Sequence, residues 1–433
     1  MSAIEAGLQQ EGAAQDVPLR RNRDFLLLMG GQYTSAVGSQ VSQFAFPLLV
    51  LAMTGSAGWA GLAAALVGAP FFFLCLPAGA LLDRWDRKRV MILCDVGRAL
   101  CLGSIPLAFV LGRLTLLQLC ACALVEGCLF TFFDIALSSG VPRVVAPAQV
   151  GRATTIESQM RQTSFMLGPV LGGILFGIGW TLPALVDALS YLASIFSLAS
   201  IKGAFQTERA ETAGSLGSQI REGFAWLWQH RLIRFFAVLA AVGNSFDNSL
   251  WLIFVVLAVH MHAPSWSIGT AFGLAGISGF LAPLANMLLQ RFPLRPLLLI
   301  TQWSTVILLP ALLVIPNVAL LCVLVGVIIF ASALQGTYLY SYRQRIVPDQ
   351  VMGRATSVFR LIAYTGSPIA LWATGLLLQF AGAGATVLAL LTMTLLTAIM
   401  VTLNVQVRHA QTGEKVGAGQ GEAPDAVSNN RDA

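Results

Sequence analysis

Two acidic residues stand in the middle of long apolar runs: Glu126 in ALVEGCLF and Asp247 in GNSFDNSLW. Neither has a basic residue within one helical turn along the chain. A charge at the centre of a bilayer costs about 2.5–3.5 kcal/mol even on the gentler scales, so each needs a task. A carboxylate in a low-dielectric site can take up and release a proton. The competing reading is a carboxyl held by neighbouring amides, Asn244 and Asn248 in the case of Asp247. Four further acids fall inside apolar runs. Asp95 with Arg98 (i, i+3) and Glu157 with Arg161 (i, i+4) read as structural ion pairs near one membrane surface. Asp134 and Asp187 lie nearer the ends of their runs, within reach of water. The densest charge is in GALLDRWDRKR at 79–89, where Asp83, Arg84, Asp86, Arg87, Lys88 and Arg89 link two apolar stretches.

The elements that position these residues follow from composition. Hydrophobic residues make up 56% of the 433 and charged ones only 11%. A soluble domain carries roughly 25% charged residues, so this chain cannot cover a water-facing surface. Apolar stretches of about 20 residues suffice to cross a hydrocarbon core as helices. Because backbone groups in lipid must pair internally, many such stretches mean a helical bundle. Cuts at charged or Gly/Pro/Asn-marked links give twelve spans: 25–53, 58–82, 90–111, 115–139, 154–177, 181–200, 233–259, 266–289, 296–314, 317–341, 356–379 and 384–406. The first is too long for a signal peptide and reads as an uncleaved span.

Charge distribution tests that count. All but Arg98, Arg113, Arg161 and Arg360 of the 26 Lys and Arg residues fall on alternate links and the two tails. By the positive-inside rule those segments are cytoplasmic, and both termini with them. The same pattern accounts for the net charge of +6 without nucleic acid: the basic groups sit near anionic headgroups. The expected organisation is a cytoplasmic tail at 1–24, a six-helix bundle at 25–200, a cytoplasmic linker at 201–232, a second six-helix bundle at 233–406 and a disordered tail at 407–433. Within the linker, IREGFAWLWQH reads as an amphipathic surface helix.

The two halves repeat each other. PAQVGRAT (147–154) after span four matches PDQVMGRAT (348–356) after span ten. Each leads into a Gly/Pro-containing run, GPVLGG at 168–173 and GSPIAL at 366–371. LLDRWDRKRVM (81–91) has a worn counterpart in LLQRFPLRPLL (288–298), with Gln290 in the place of Asp83. Two such units side by side suggest the parallel repeats of a transporter.

These motifs resemble the major facilitator superfamily. GALLDRWDRKR is similar to its loop 2–3 signature, with Asp86 in the place of the usual second glycine. That form, with Asp95 and Arg98, VDALSYL (186–192) and YRQRIVPDQVMGRATS (342–357), resembles the macrolide-efflux and siderophore-exporter branch. The resemblance implies an all-α membrane fold of twelve transmembrane helices in two pseudo-symmetric six-helix bundles, with spans one, four, seven and ten around a central cavity. Glu126 and Asp247 would then face that cavity and couple transport to protons. Gly79, Asp83, Arg84, Asp86, Arg87, Lys88, Arg89, Asp95 and Arg98 would form a conformational latch between the halves, the alternative being a topology signal alone. Gln32, Gln40, Gln43, Phe130, Asn244, Asn248, Trp251, Gln335 and Tyr338 are candidates for the cavity wall. Gly168, Pro169, Gly172 and Gly173 match a helix-bending motif, with Ser164 and Thr155 where the family has upstream glycines. Span one has Gly38-Ser39 where this branch often carries Gly-Asp.

The implied activity is proton-coupled efflux of a hydrophobic or amphiphilic small molecule from a bacterial inner membrane, by a monomer in the lipid bilayer. A lysophospholipid flippase of the same fold and a non-transporting sensor or scaffold are the alternatives. No phosphate-binding loop is present, no enzyme signature is found, and no cofactor or metal is expected. The seven cysteines lack CxxC spacing and read as small buried hydrophobes.

Overall fold

The computed structural model describes residues 18–82, 84–201, 216–289, 292–347, 349–405 and 407. Asp83, Gln290, residues 202–215 of the expected linker, residues 1–17 of the expected N-terminal tail and all of the expected C-terminal tail except residue 407 lie outside the described residues. The described chain forms twelve long helices and one short one. They are α1 (Arg23–Thr54), α2 (Ala57–Leu82), α3 (Arg87–Val110), α4 (Leu116–Val144), α5 (Val150–Ile178), α6 (Leu182–Ser200) and the short α7 (Leu216–Gln229). The second set is α8 (Arg231–His260), α9 (Ser265–Leu289), α10 (Leu294–Leu308, extended by a 3₁₀ turn to Leu313), α11 (Val318–Ile346), α12 (Asp349–Phe380) and α13 (Gly382–Leu403).

Eleven of the long helices are apolar enough to cross a membrane on composition alone. The exception is α5, whose first half carries Arg152, Glu157 and Arg161. Its place in the bundle comes from packing rather than hydropathy. Large apolar side chains such as Phe196 (76% exposed), Val323 (62%) and Leu288 (82%) remain uncovered, which a bilayer tolerates and water does not.

Helix ends are set by local chemistry. Asn22 caps α1 by accepting from the Phe25 amide at 3.0 Å, and its own amide donates to the Val144 carbonyl at the end of α4. Gly55 ends α1 at φ +65°, where a residue with a Cβ would be strained. In the charged link, Asp86 caps α3 through the Arg89 amide at 3.2 Å.

The packing repeats. In the first half α1 packs on α5 and α6, α2 on α4, and α3 on α4 and α6; in the second, α8 packs on α12 and α13, α9 on α11, and α10 on α11 and α13. The halves meet along two seams, α5 with α9 and α2 with α12. Each seam has a glycine crossing. A Cβ placed on Gly173 would sit 3.0 Å from Gly269 Cα, and one on Gly61 would sit 2.9 Å from the Leu371 carbonyl oxygen and 3.0 Å from Gly375 Cα. The backbones therefore touch, as small residues permit in membrane helices.

Two ends of the molecule can now be told apart. Lys88 Nζ donates to the Ile201 carbonyl at 2.6 Å and Arg87 Nη1 to the Ser139 carbonyl at 3.4 Å, so one end gathers the basic links. At the opposite end the halves are fastened: Gln379 Oε1 on α12 accepts from Ser56 Oγ at 2.7 Å and from the Gly58 amide at 3.2 Å. A Gly61→Leu substitution should force α2 and α12 apart there, at a cost of about 1–3 kcal/mol for overpacking. The expected result is a several-fold loss of disulfide cross-linking between cysteines placed at Ser56 and Gln379, scored as joined half-chains on a gel.

Candidate transport cavity and buried ion cluster

Between the halves lies a cavity of about 470 Å³. Its N-terminal wall is Gln40, Gln43 and Phe44 of α1 with Gln162, Phe165 and Pro169 of α5. Its C-terminal wall is Asp247, Asn248 and Trp251 of α8 with Phe272 of α9. Trp251 stacks on Phe272 with ring centroids 3.5 Å apart, and Phe272 meets Phe44 edge-on across the seam at 5.0 Å. An aromatic surface with a few amides suits a bulky, largely apolar ligand.

A second hollow, about 700 Å³, continues from Asp247 toward the basic end. It is a vestibule walled by α8, α11 and α12, with Ser158 of α5 opposite. Asp247 lines both spaces. Its Oδ2 accepts from Ser332 Oγ at 2.8 Å, while its Oδ1 is buried with no hydrogen-bond partner. No cation pairs with it among the described residues, in keeping with the sequence expectation. Asn244, one turn earlier, donates to the Ala363 carbonyl at 3.0 Å and also lines the vestibule.

Glu126 corrects the expectation that it is unpaired. Arg98 on α3 reaches across to it, with Nε 2.9 Å and Nη2 2.6 Å from Oε1. Arg98 is 1% exposed. It also donates to Ser39 Oγ on α1 at 3.2 Å and lies 4.2 Å from the Tyr191 ring centre. Asp95, expected as its main partner, is farther away, at 3.7 Å from Nη1. Asp187, expected near water, is fully buried in the same cluster: its Oδ2 is 3.3 Å from the Tyr191 hydroxyl, which also lies 3.0 Å from Glu126 Oε1. The reason is that α6 packs its polar edge against α1 and α3 rather than toward an end of the molecule.

The donor inventory of this cluster is short. Tyr191 has one hydroxyl proton for two carboxyl oxygens, and the Ser39 hydroxyl lies within reach of both the Ser35 carbonyl and Tyr191. One guanidinium faces three acids. The Ser190 hydroxyl lies 3.2 Å from Asp187 Oδ1 at the edge of the cluster. A gap of about 170 Å³ joins Glu126 and Asp187 to Gln43 and Asn248, and so to the central cavity.

Other sequence candidates fall elsewhere. Asp95 and Arg98 belong to this interior cluster and not to a latch at the basic end. Of the remaining latch candidates, Arg84 is exposed, Asp86 and Arg89 pair with each other at 3.4 Å, and Arg87 and Lys88 bind carbonyls of their own half. A Cβ on Gly79 would meet open space. Gln32 donates to Ser194 between α1 and α6, and Phe130 lies under Arg98 at 5.5 Å; both belong to the bundle interior. Tyr338 donates to the Phe292 carbonyl at 2.6 Å in the C-terminal core. Gln335 accepts from Thr301 and Gln302, with one side on the vestibule. Gly168 and Gly172 pack on Gln40 and Phe44 of α1, so their motif brings helices close. Arg161 pairs with Glu157 as expected, at 3.0 Å, and with Asp134 as well, at the same distance.

Two seamed six-helix bundles around a hollow with buried acids define a membrane transporter of the major facilitator type. The chain belongs to the transmembrane secretion effector family, whose profile matches residues 15–429. It is 25% identical over 409 residues to the multidrug efflux pump Tap of Mycolicibacterium fortuitum, covering 90% of this chain and 98% of that one. It is 25% identical over 366 residues to the enterobactin exporter EntS of Citrobacter koseri, covering 81% and 84%. Among solved structures, a bacterial homologue of the iron transporter ferroportin shares 18% identity. Its inward-facing state superposes with a TM-score of 0.70 over 89% of this chain and 99% of that one. Its outward-facing state gives 0.58 over 88% and 98%.

Proposed function

We propose that this protein exports hydrophobic or amphiphilic small molecules by alternating access, in exchange for protons. The observation that carries the reading is Asp247: a buried carboxyl without a cation, set where an aromatic cavity meets an open vestibule. A carboxyl so placed makes protonation and substrate occupancy compete for one location. The named activities of Tap and EntS support efflux, and the asymmetry of the seam supports alternating access. It is fastened at Gln379 and hollow toward the basic end, and the ferroportin homologue's inward-facing state is the nearer of its two backbones. A two-state carrier needs a second arrangement within a few kcal/mol of the first.

In this reading the basic end faces the cytoplasm of a bacterial cell, following the positive-inside rule. The protein works as a monomer, since one chain builds the whole cavity. The charged link after α2 then latches the basic end only when that end is shut. Among its described contacts are those of Arg87 and Lys88 with carbonyls of its own bundle. The test is uptake of ethidium into everted membrane vesicles with an imposed inward-acid gradient. Accumulation that depends on the protein and collapses with a protonophore is expected. Uptake indifferent to the protein or to the gradient overturns the reading.

A further inference from the structure

Arg343, in the last turn of α11, is 4% exposed and lines the vestibule. Its guanidinium lies against ring faces: the guanidinium carbon is 4.1 Å from the Phe359 centre and 5.3 Å from that of Tyr340. Its Nε is buried without a hydrogen bond, and among the described residues it forms no ion pair. The carboxylate in the same hollow, Asp247, is bound to Ser332, whose position on α11 is eleven residues, roughly 16 Å of helix rise, from that of Arg343. Arg360 of α12 lines the same wall, exposed. A buried cation needs a counter-charge, because its desolvation is otherwise uncompensated. This one has rings beside it, no acid, and a hollow in front of it.

We infer that Arg343 is an anion-binding subsite for the head group of an amphiphilic substrate, with Arg360 as its outer electrostatic support. The inference rests on the carrier reading above and deepens it. The apolar body would extend from Arg343 past Asp247 toward Trp251 and Phe272. The shared chemistry is a carboxylate or phosphate on an apolar chain. A guanidinium takes either through paired N–H donors, which a lysine ammonium cannot reproduce.

The test is equilibrium binding to the full-length protein in nanodiscs of zwitterionic lipid, corrected for uptake by empty discs. Dodecanoate and lauroyl-lysophosphatidylglycerol separate a free acid from a lipid head group; dodecanol and dodecyltrimethylammonium are the neutral and cationic references. At least one anionic probe should bind about tenfold or more tightly than dodecanol, the gain expected of a charge-assisted pair. In Arg343→Gln that ratio should fall to near one, and in Arg343→Lys it should be intermediate. A wild-type ratio near one, or an unchanged ratio in Arg343→Gln, overturns the inference and leaves the carrier reading standing. If none of the four probes binds, the carrier reading falls and takes the subsite with it. Should Arg343→Gln fail to fold, Arg360→Gln is measured in its place; it should lower the same ratio by a smaller factor, and no change there overturns the inference.

Discussion

Arg98→Met is expected to remove the folded protein from the membrane. Methionine keeps the length and the apolar stem of arginine, so the loss is the guanidinium. Arg98 is 1% exposed, and its guanidinium is the cation facing Glu126, Asp95 and Asp187. Breaking a buried pair by deleting one partner costs about 3–5 kcal/mol, because the other charge stays behind without compensation. Here more than one acid is left, along with the Ser39 and Tyr191 hydroxyls that the cluster orients. The measurement is the yield and thermal midpoint of detergent-solubilised protein. The double variant Arg98→Met with Glu126→Gln should recover part of the loss, since contacting residues couple. A single variant as stable as the parent would show that the cluster does not hold the bundle.

Asp247→Asn is the second large effect, and it falls on transport rather than folding. Asparagine has nearly the same shape, and its carbonyl can accept from Ser332 as Asp247 Oδ2 does at 2.8 Å. What it lacks is an exchangeable proton. Gradient-driven ethidium uptake in everted vesicles should drop to the level of vesicles without the protein. Ligand binding, followed through Trp251 fluorescence one turn along the same helix, should persist. If gradient-driven uptake continues in this variant, Asp247 is not the coupling group. The acid cluster around Arg98, joined to the cavity beside Asn248, then becomes the candidate.

Much of the architecture is legible in the chain because the bilayer imposes length and charge rules that a sequence cannot hide. The twelve helices follow the apolar runs. Even α5, too charged to stand out by hydropathy, is marked by the repeat of PAQVGRAT in PDQVMGRAT. What the sequence conceals is rotation. Helices that are apolar around nearly their whole circumference give no stripe from which to read the inward face. Hence Gln32 and Tyr338, on cavity-lining helices, turn into their own bundles, while Phe44, Gln162 and Phe272 reach the cavity without a sequence signal to mark them.

The partner of Arg98 is a related case. Along the chain Asp95 is its neighbour, but α3 and α4 run antiparallel through a short loop at Arg113. That hairpin sets Glu126 at the same depth as Arg98. Reading depth across the hairpin, rather than spacing along one helix, would have paired them.

The fastening at Gln379 has a consequence for the medium it meets. Its one amide oxygen, shared by a serine hydroxyl and a backbone amide, works beside glycine crossings and involves no ionisable side chain. Shielding by dissolved ions acts on charges and leaves neutral bonds and steric fit almost untouched. That rim should stay shut equally well in brine or dilute acid, leaving its release to events at the other mouth.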